Sequence, residues 1–236
     1  MDRDFKSGRH RVGVVITSGG QSQRMGGIDK TFTLINGYPV IVHSIRPFLE
    51  STEFHQIVVV LSRENLLLGQ SWVAHLNWEE KLLLCVGGER RQDSVKNGIQ
   101  MLGECEWIVV HDGARPCIDS NFLTEALNTA FKFGTAVPIV PFTDTLKILD
   151  DSGFVKETVP REQFWRAQTP QVFCKKVLSE AHKKIAQTVS DDAQMVELLG
   201  YKIGTFPGVE QNIKITTPED IPIAKAIINS HVPGME

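Results

Sequence analysis

The sequence predicts an α/β domain built on a doubly wound, mostly parallel sheet. Short apolar, β-branched runs (VGVVI, QIVVVLS, KLLLCV, WIVVH, TAVPIV) alternate with amphipathic helical stretches, as units of strand, crossover helix and parallel strand do. Three of the runs end in glycine or charge, at Gly19, Gly87 and His111-Asp112. Ligands of such sheets bind there, outside the carboxyl ends of the strands.

The elements follow in order. MDRDFKSGRHR is charged and lacks an apolar core, so residues 1–11 read as a disordered tail and not as a signal peptide. VGVVI is a buried strand running into the turn TSGGQSQ. From Pro39, PVIVHSIRPFLES reads as a helix with Val40, Ile41, Ile45, Phe48 and Leu49 on one face, interrupted by Pro47. Gln56–Ser62 is a strand, Glu64–Trp78 a helix and Lys81–Val86 a strand. Gly87-Gly88 turns into a helix whose apolar positions are Val95, Ile99 and Leu102. Trp107–Pro116 is a strand ending in charge, Asp119–Phe133 an amphipathic helix and Thr135–Val140 the next strand.

From Pro141 to Phe173 the rhythm breaks. TLKIL and FVKETV flank Asp150-Asp151-Ser152-Gly153, a β-hairpin signal that predicts an inserted arm over 141–170 able to reach a neighbouring subunit. Helices over Lys175–Gln187 and Ser190–Leu199, a strand YKIGTF and a helix over Thr217–Asn229 complete one domain, 12–236.

Composition excludes several classes. A net charge of −3 over 236 residues is wrong for a general nucleic-acid or anionic-membrane binder. No apolar run is long enough to span a bilayer. Cys85, Cys105, Cys117 and Cys174 are scattered without a C-x-x-C, which argues against a zinc or disulfide framework. A soluble, cytoplasmic chain is the expectation.

The chemistry concentrates at the strand ends. The stretch from Val12 to Phe32 places backbone N–H groups of a glycine turn beside Arg24 and Lys30, an arrangement suited to polyphosphate. It matches neither the P-loop nor G-x-G-x-x-G. Asp112, directly after a strand, is either a Mg²⁺ carboxylate completed by substrate phosphates or a turn aspartate, with Arg115 beside it. GGERRQDS repeats glycine, cations and a hydroxyl: Gly88 would let a flat ring approach the backbone, while Ser94 reads equally as a helix-face serine. Ser190-Asp191-Asp192 reads as a helix N-cap. Lys214, between Ile213 and Ile215, is a strand's solvated face or a cation turned into the site. With no G-x-S-x-G and no Cys–His pair, this inventory suits transfer at phosphorus, where catalysis is mainly positioning and electrostatics.

In order and spacing, ITSGGQSQRMGGIDKTF, GGERRQDSV, HDGARP, AVPIVPFTDTLK, PREQFWRAQTPQVF, SDDA and NIKITTPED resemble the 2-C-methyl-D-erythritol 4-phosphate cytidylyltransferases of the non-mevalonate isoprenoid pathway, from Val12 to Ile228. The resemblance implies a Rossmann-like fold of the nucleotidyltransferase type. It implies CTP over Ser18, Gly19 and Gly20, with cytosine near Gly88, Glu89 and Ser94 and with Arg115 in the CTP site. It gives Arg24, Lys30 and Lys214 catalytic roles and makes Asp112 the Mg²⁺ ligand. It further implies a homodimer through the arm, with Thr145, Arg161, Thr169, Ser190 and Lys214 around the polyol phosphate. The family's Ala-Ala is Thr17-Ser18 here, and the loop from Gly19 to Met25 is one residue longer than the common pattern. A pentitol-phosphate (ribitol 5-phosphate) cytidylyltransferase and a non-catalytic CTP-sensing module are the rival readings.

Overall fold

The computed structural model describes residues 10–18 and 30–231. Their strands are β1 (Val12–Ser18), β2 (Leu34–Ile35), β3 (Tyr38–Pro39), β4 (Phe54–Leu61), β5 (Leu82–Val86), β6 (Trp107–Asp112), β7 (Thr135–Pro141), β8 (Leu146–Leu149), β9 (Val155–Val159), β10 (Trp165–Ala167), β11 (Gln171–Cys174) and β12 (Thr205–Pro207). The helices are α1 (Val40–Glu50), α2 (Leu66–His75), α3 (Arg91–Met101), α4 (Ser120–Phe133), α5 (Lys175–Lys184), α6 (Asp192–Leu198) and α7 (Asp220–His231).

The main sheet has the order β10-β7-β11-β6-β1-β4-β5, with β12 added beside β7. β1 pairs in parallel with both β4 and β6, and β4 with β5. Consecutive residues of each central strand enter opposite cores. Val14, Ile16, Ile57, Val59, Trp107 and Val109 pack on one face with α1 and α4. Val15, Val58, Val60, Ile108 and Val110 pack on the other with α3, α5 and α6. A side-chain period of two, apolar at every position, therefore means burial on both faces. On the second face α3 approaches closely: a Cβ on Gly98 would stand 2.5 Å from Val15 Cγ1.

Several expectations are corrected. Pro47 does not interrupt α1, which continues to Glu50 and buries Phe48 beyond it; one lost helical N–H is outweighed by that burial. Asn36 and Gly37 have φ of 51° and 82° and join β2 to β3, an Asn-Gly hairpin turn not anticipated. The 141–170 segment is not all arm. Among the described residues β8 and β9 pair only with each other, but β10 pairs antiparallel with the end of β7. β11, likewise unanticipated, runs antiparallel between β6 and β7, so the sheet is mixed at this side. Of the tail expected over 1–11, His10 and Arg11 are described. The His10 ring lies 4.5 Å from that of Phe131 and its Nδ1 is 2.8 Å from Glu106 Oε2, so His10 is packed against the domain; residues 1–9 of the expected tail lie outside the described residues.

The hairpin turn behaves as its residues dictate. Asp150 Oδ1 accepts from the N–H groups of Ser152 and Phe154, and Gly153 takes φ 83°. Around this tip Leu149, Phe154 and Val155 are exposed.

Candidate active site

β1 and β6 lie side by side with Thr17 opposite Asp112, so the carboxyl ends of these two strands stand together at one end of the sheet. Ser18 ends β1 and is buried, with its hydroxyl unpartnered among the described residues. Gly19, Gly20 and Arg24 lie outside the described residues. Gly113 permits the two strand ends to close: its N–H donates to the Thr17 carbonyl at 2.9 Å, and a Cβ there would stand 3.2 Å from Ser18 Cβ.

Asp112 is the centre of the site. Its Oδ1 faces Arg91 Nε at 3.2 Å; its Oδ2 faces Lys214 Nζ at 2.8 Å and Arg115 Nε at 3.4 Å. Burial pushes its carboxyl up, but Arg91, Lys214 and Arg115 together outweigh burial and hold it well below the usual carboxylate range. Lys214 is therefore a cation turned inward, and it stands in no strand. Asp112 is both a turn residue and the anchor of a cationic cluster.

Behind the carboxylate, polar groups bolt the turn in place. The Thr169 hydroxyl accepts from the Asp112 N–H at 3.0 Å and faces His111 Nδ1 at 3.0 Å, while His111 Nε2 faces the Arg115 carbonyl at 3.1 Å. A carbonyl only accepts, so Nε2 carries the proton, and Thr169 donates to the bare Nδ1. Burial pushes the His111 imidazole down to about 4, which keeps it neutral as this network requires. Arg115 Nη1 donates to the Asn212 carbonyl at 2.7 Å, and Asn212 Nδ2 to the Thr169 carbonyl at 2.8 Å. Thr169 is 4% exposed and its hydroxyl is engaged on both sides, so it holds the turn that carries Asp112. Arg115 straps the Asp112 turn to the backbone at Asn212.

The second glycine turn is also built locally. Ser94 Oγ accepts from the Gly88 N–H at 3.1 Å and donates to the Arg90 carbonyl at 3.2 Å, so it shapes the loop. A Cβ on Gly88 would stand 2.4 Å from Asp93 Cβ; packing against α3 already requires glycine, apart from any ring. Glu89 is exposed at the turn.

The remaining candidates are spread out. Thr145 and Arg161 are exposed at the root of the β8–β9 hairpin, where Arg161 Nη1 donates to the Thr143 carbonyl. Ser190 is exposed and is not the cap of α6. Asp191 is, accepting from the Gln194 N–H at 2.9 Å, because it stands directly before the first helical residue while Ser190 is one position further out. Lys30 is partly buried in the turn that leads to β2.

Two residues of the cluster escape a reading of the sequence. Arg91 Nη1 bonds Asp192 Oδ2 at 2.6 Å, joining Asp112 to a second carboxylate. A readable signal exists for Arg91. Arg90 has Asp93 three positions on and pairs with it at the surface, which leaves Arg91 as the inward cation at the helix start. Asp192 reads as part of the cap, although only Asp191 caps.

The site can bind anions beside a hard oxygen donor. Among the described residues no group of three or more His, Cys, Asp or Glu side chains could hold a metal alone. A single carboxylate does fit Mg²⁺, which takes one or two protein oxygens and the rest from phosphates and water.

The family model for 2-C-methyl-D-erythritol 4-phosphate cytidylyltransferase matches residues 12–230. A 2-C-methyl-D-erythritol 4-phosphate cytidylyltransferase of Dehalococcoides mccartyi (strain ATCC BAA-2266 / KCTC 15142 / 195) is 42% identical over 218 residues, 92% of this chain and 96% of that protein. One of Bacillus mycoides (strain KBAB4) is 38% identical over 220 residues, covering 92% and 97%. Among solved structures, the 4-diphosphocytidyl-2C-methyl-D-erythritol synthase of Anaerococcus prevotii DSM 20548 superposes with a TM-score of 0.82 at 25% identity, over 94% of this chain and 97% of that one. The 2-C-methyl-D-erythritol 4-phosphate cytidylyltransferase of Thermus thermophilus gives a TM-score of 0.75 at 28% identity, over 93% and 99%.

Proposed function

The chain belongs to the 2-C-methyl-D-erythritol 4-phosphate cytidylyltransferase family, and from that premise we propose that it transfers CMP from CTP to 2-C-methyl-D-erythritol 4-phosphate, releasing pyrophosphate. The observation that carries this is the Asp112 cluster. Arg91, Arg115 and Lys214 surround one carboxylate at the end of β6, beside the end of β1. Three cations against Asp112 and Asp192 leave a local positive excess in a chain of net charge −3, and a triphosphate requires such an excess.

In this reading the polyol phosphate oxygen attacks the α-phosphorus of CTP in line and the bond to pyrophosphate breaks. Holding both reactants in register and stabilising the spread negative charge are the protein's contributions. Lys214, Lys30 and Arg24 supply positive charge to the phosphates. Arg115 and the Thr169–His111 network keep Asp112 in place. Asp112 would hold a Mg²⁺ ion, which supplies further charge neutralisation at the phosphoryl oxygens when bound. The exposed apolar residues Leu149, Phe154 and Val155 support a homodimer through the hairpin, with Thr145, Arg161 and Ser190 contributing to the polyol phosphate site. No described helix is long and apolar enough to cross a membrane, which is compatible with the cytoplasmic location we propose.

The test is pyrophosphate release with CTP and Mg²⁺, comparing methylerythritol 4-phosphate with ribitol 5-phosphate. Turnover with the first alone is expected. Turnover with ribitol 5-phosphate alone would keep the chemistry and overturn the substrate. Silence with both while CTP binds would make the chain a sensing module.

A further inference from the structure

Asp192 is the most deeply buried carboxylate near the site. It is 1% exposed at the first turn of α6, and a buried anion is costly unless it is paired. Arg91 Nη1 lies 2.6 Å from its Oδ2, and His182 Nε2 lies 3.4 Å from its Oδ1. The start of α6 is itself pinned to the sheet: Gln171 Nε2 donates to Asp191 Oδ2 at 2.7 Å, and its Oε1 accepts from the Ala193 N–H at 3.2 Å. The carboxylate therefore has a fixed address, and it holds one end of a guanidinium whose Nε reaches Asp112 Oδ1 at 3.2 Å.

The three cations around Asp112 are not equivalent. Arg115 and Lys214 both approach Oδ2. Among the described residues, Arg91 alone of the three approaches Oδ1 and is tied to a second carboxylate. Two consequences follow from elementary electrostatics and geometry. A planar guanidinium clamped at both ends fixes the rotation of the Asp112 carboxylate. The Asp192 charge also offsets that of Arg91, so Asp112 keeps its attraction for other cations.

We infer that Asp192 is a positioning residue for this reaction, acting through Arg91 to orient Asp112 and to preserve its affinity for a divalent cation. The inference rests on the cytidylyltransferase reading. It does not place Asp192 in contact with substrate.

The variant Asp192→Asn keeps the shape and removes the charge. With the full chain, the expected result is a kcat lowered about 10–100-fold, the range typical of residues supporting a metal ligand, with KM for CTP nearly unchanged. Mn²⁺ binding in the presence of CTP, followed by electron paramagnetic resonance, should weaken about tenfold, and Asp192→Glu should recover part of both. Should Asp192→Asn fail to fold, Arg91→Lys retains charge but cannot span two carboxylates, and is expected to show the same losses. A folded variant with wild-type kcat and wild-type Mn²⁺ affinity would overturn the inference, as would an activity loss that follows only the folded fraction. If the unaltered chain binds Mn²⁺ and CTP but transfers no CMP, the functional reading fails, while the Mn²⁺ comparison still decides the role of Asp192.

Discussion

Lys214 Nζ stands 2.8 Å from Asp112 Oδ2, the same carboxylate oxygen that Arg115 Nε faces at 3.4 Å. Lys214 is the more exposed of these two cations, 38% against 11%. Arg115 is anchored to the Asn212 carbonyl, so Lys214 is the cation able to leave Asp112 for a phosphate. Lys214→Met is expected to lower kcat about 10²–10³-fold, the size of losing one preorganised charge donor. Steady-state pyrophosphate release measures it. Lys30→Ala should fall in the same range, and a wild-type kcat in either variant would remove that lysine from the mechanism.

The His111 imidazole, pushed by burial from 6.5 down to about 4, makes the fold acid-sensitive in a defined window. Between those values the unfolded chain binds a proton that the folded chain does not. Stability therefore falls as pH drops from about 6.5 to about 4, by up to about 3 kcal/mol. Asp112 and Asp192, both held below their ordinary range, contribute further loss only below about pH 4. Urea unfolding at about pH 7 and about pH 4.5 brackets the window and should show the first effect, and His111→Gln should flatten it. An unchanged slope in that variant would assign the sensitivity elsewhere.

Thr169 links the Asp112 N–H to His111 Nδ1. Thr169→Val leaves both buried groups unpaired and should destabilise the chain by about 1–3 kcal/mol. Thr169→Ser should retain stability and the KM for the polyol phosphate. A normal melting temperature for Thr169→Val, combined with a raised KM for the polyol phosphate, would instead make Thr169 a substrate contact.

Gly88→Ala drives a Cβ to 2.4 Å from Asp93 Cβ, and the start of α3 must give. A loss of about 1–3 kcal/mol is expected from the overpacking, with a raised KM for CTP. Ser94→Ala, which removes the acceptor for the Gly88 N–H and the donor to the Arg90 carbonyl but adds no bulk, should raise that KM while costing less stability. Thermal melts and CTP titrations separate the two.

The hairpin tip tests assembly. Phe154 and Leu149 are 73% and 57% exposed, more apolar surface than a solvated tip needs. Converting both to lysine should shift a homodimer to monomer in sedimentation. The melting of the parent sheet should change little, since among the described residues β8 and β9 pair only with each other. A wild-type sedimentation coefficient would place the dimer contact elsewhere.

Much of this chain is legible without its structure, because burial leaves a local imprint. Val14, Val15, Ile16, Val58, Val59 and Val60 have to be apolar in succession since alternate residues enter opposite cores. Gly19, Gly88 and Asp112 mark the ends of strands. The turn at Asp150–Gly153 announces the hairpin, and order and spacing of motifs announce the family. Two signals present in the sequence are easily passed over: the Asn36-Gly37 turn, and the local pairing of Arg90 with Asp93 that singles out Arg91.

What only the tertiary structure decided depends on partners distant in the chain. QVFC became β11 because β6 and β7 offered it two edges, and nothing in four residues specifies that. Whether Lys214 faced solvent or Asp112 was open to the sequence, and neither the contact of Thr169 with His111 nor the clamp of Asp192 on Arg91 could be read there. Residue identity determines what a group can donate, accept or neutralise. Which group it meets is set by the packing of elements that are neighbours only after folding.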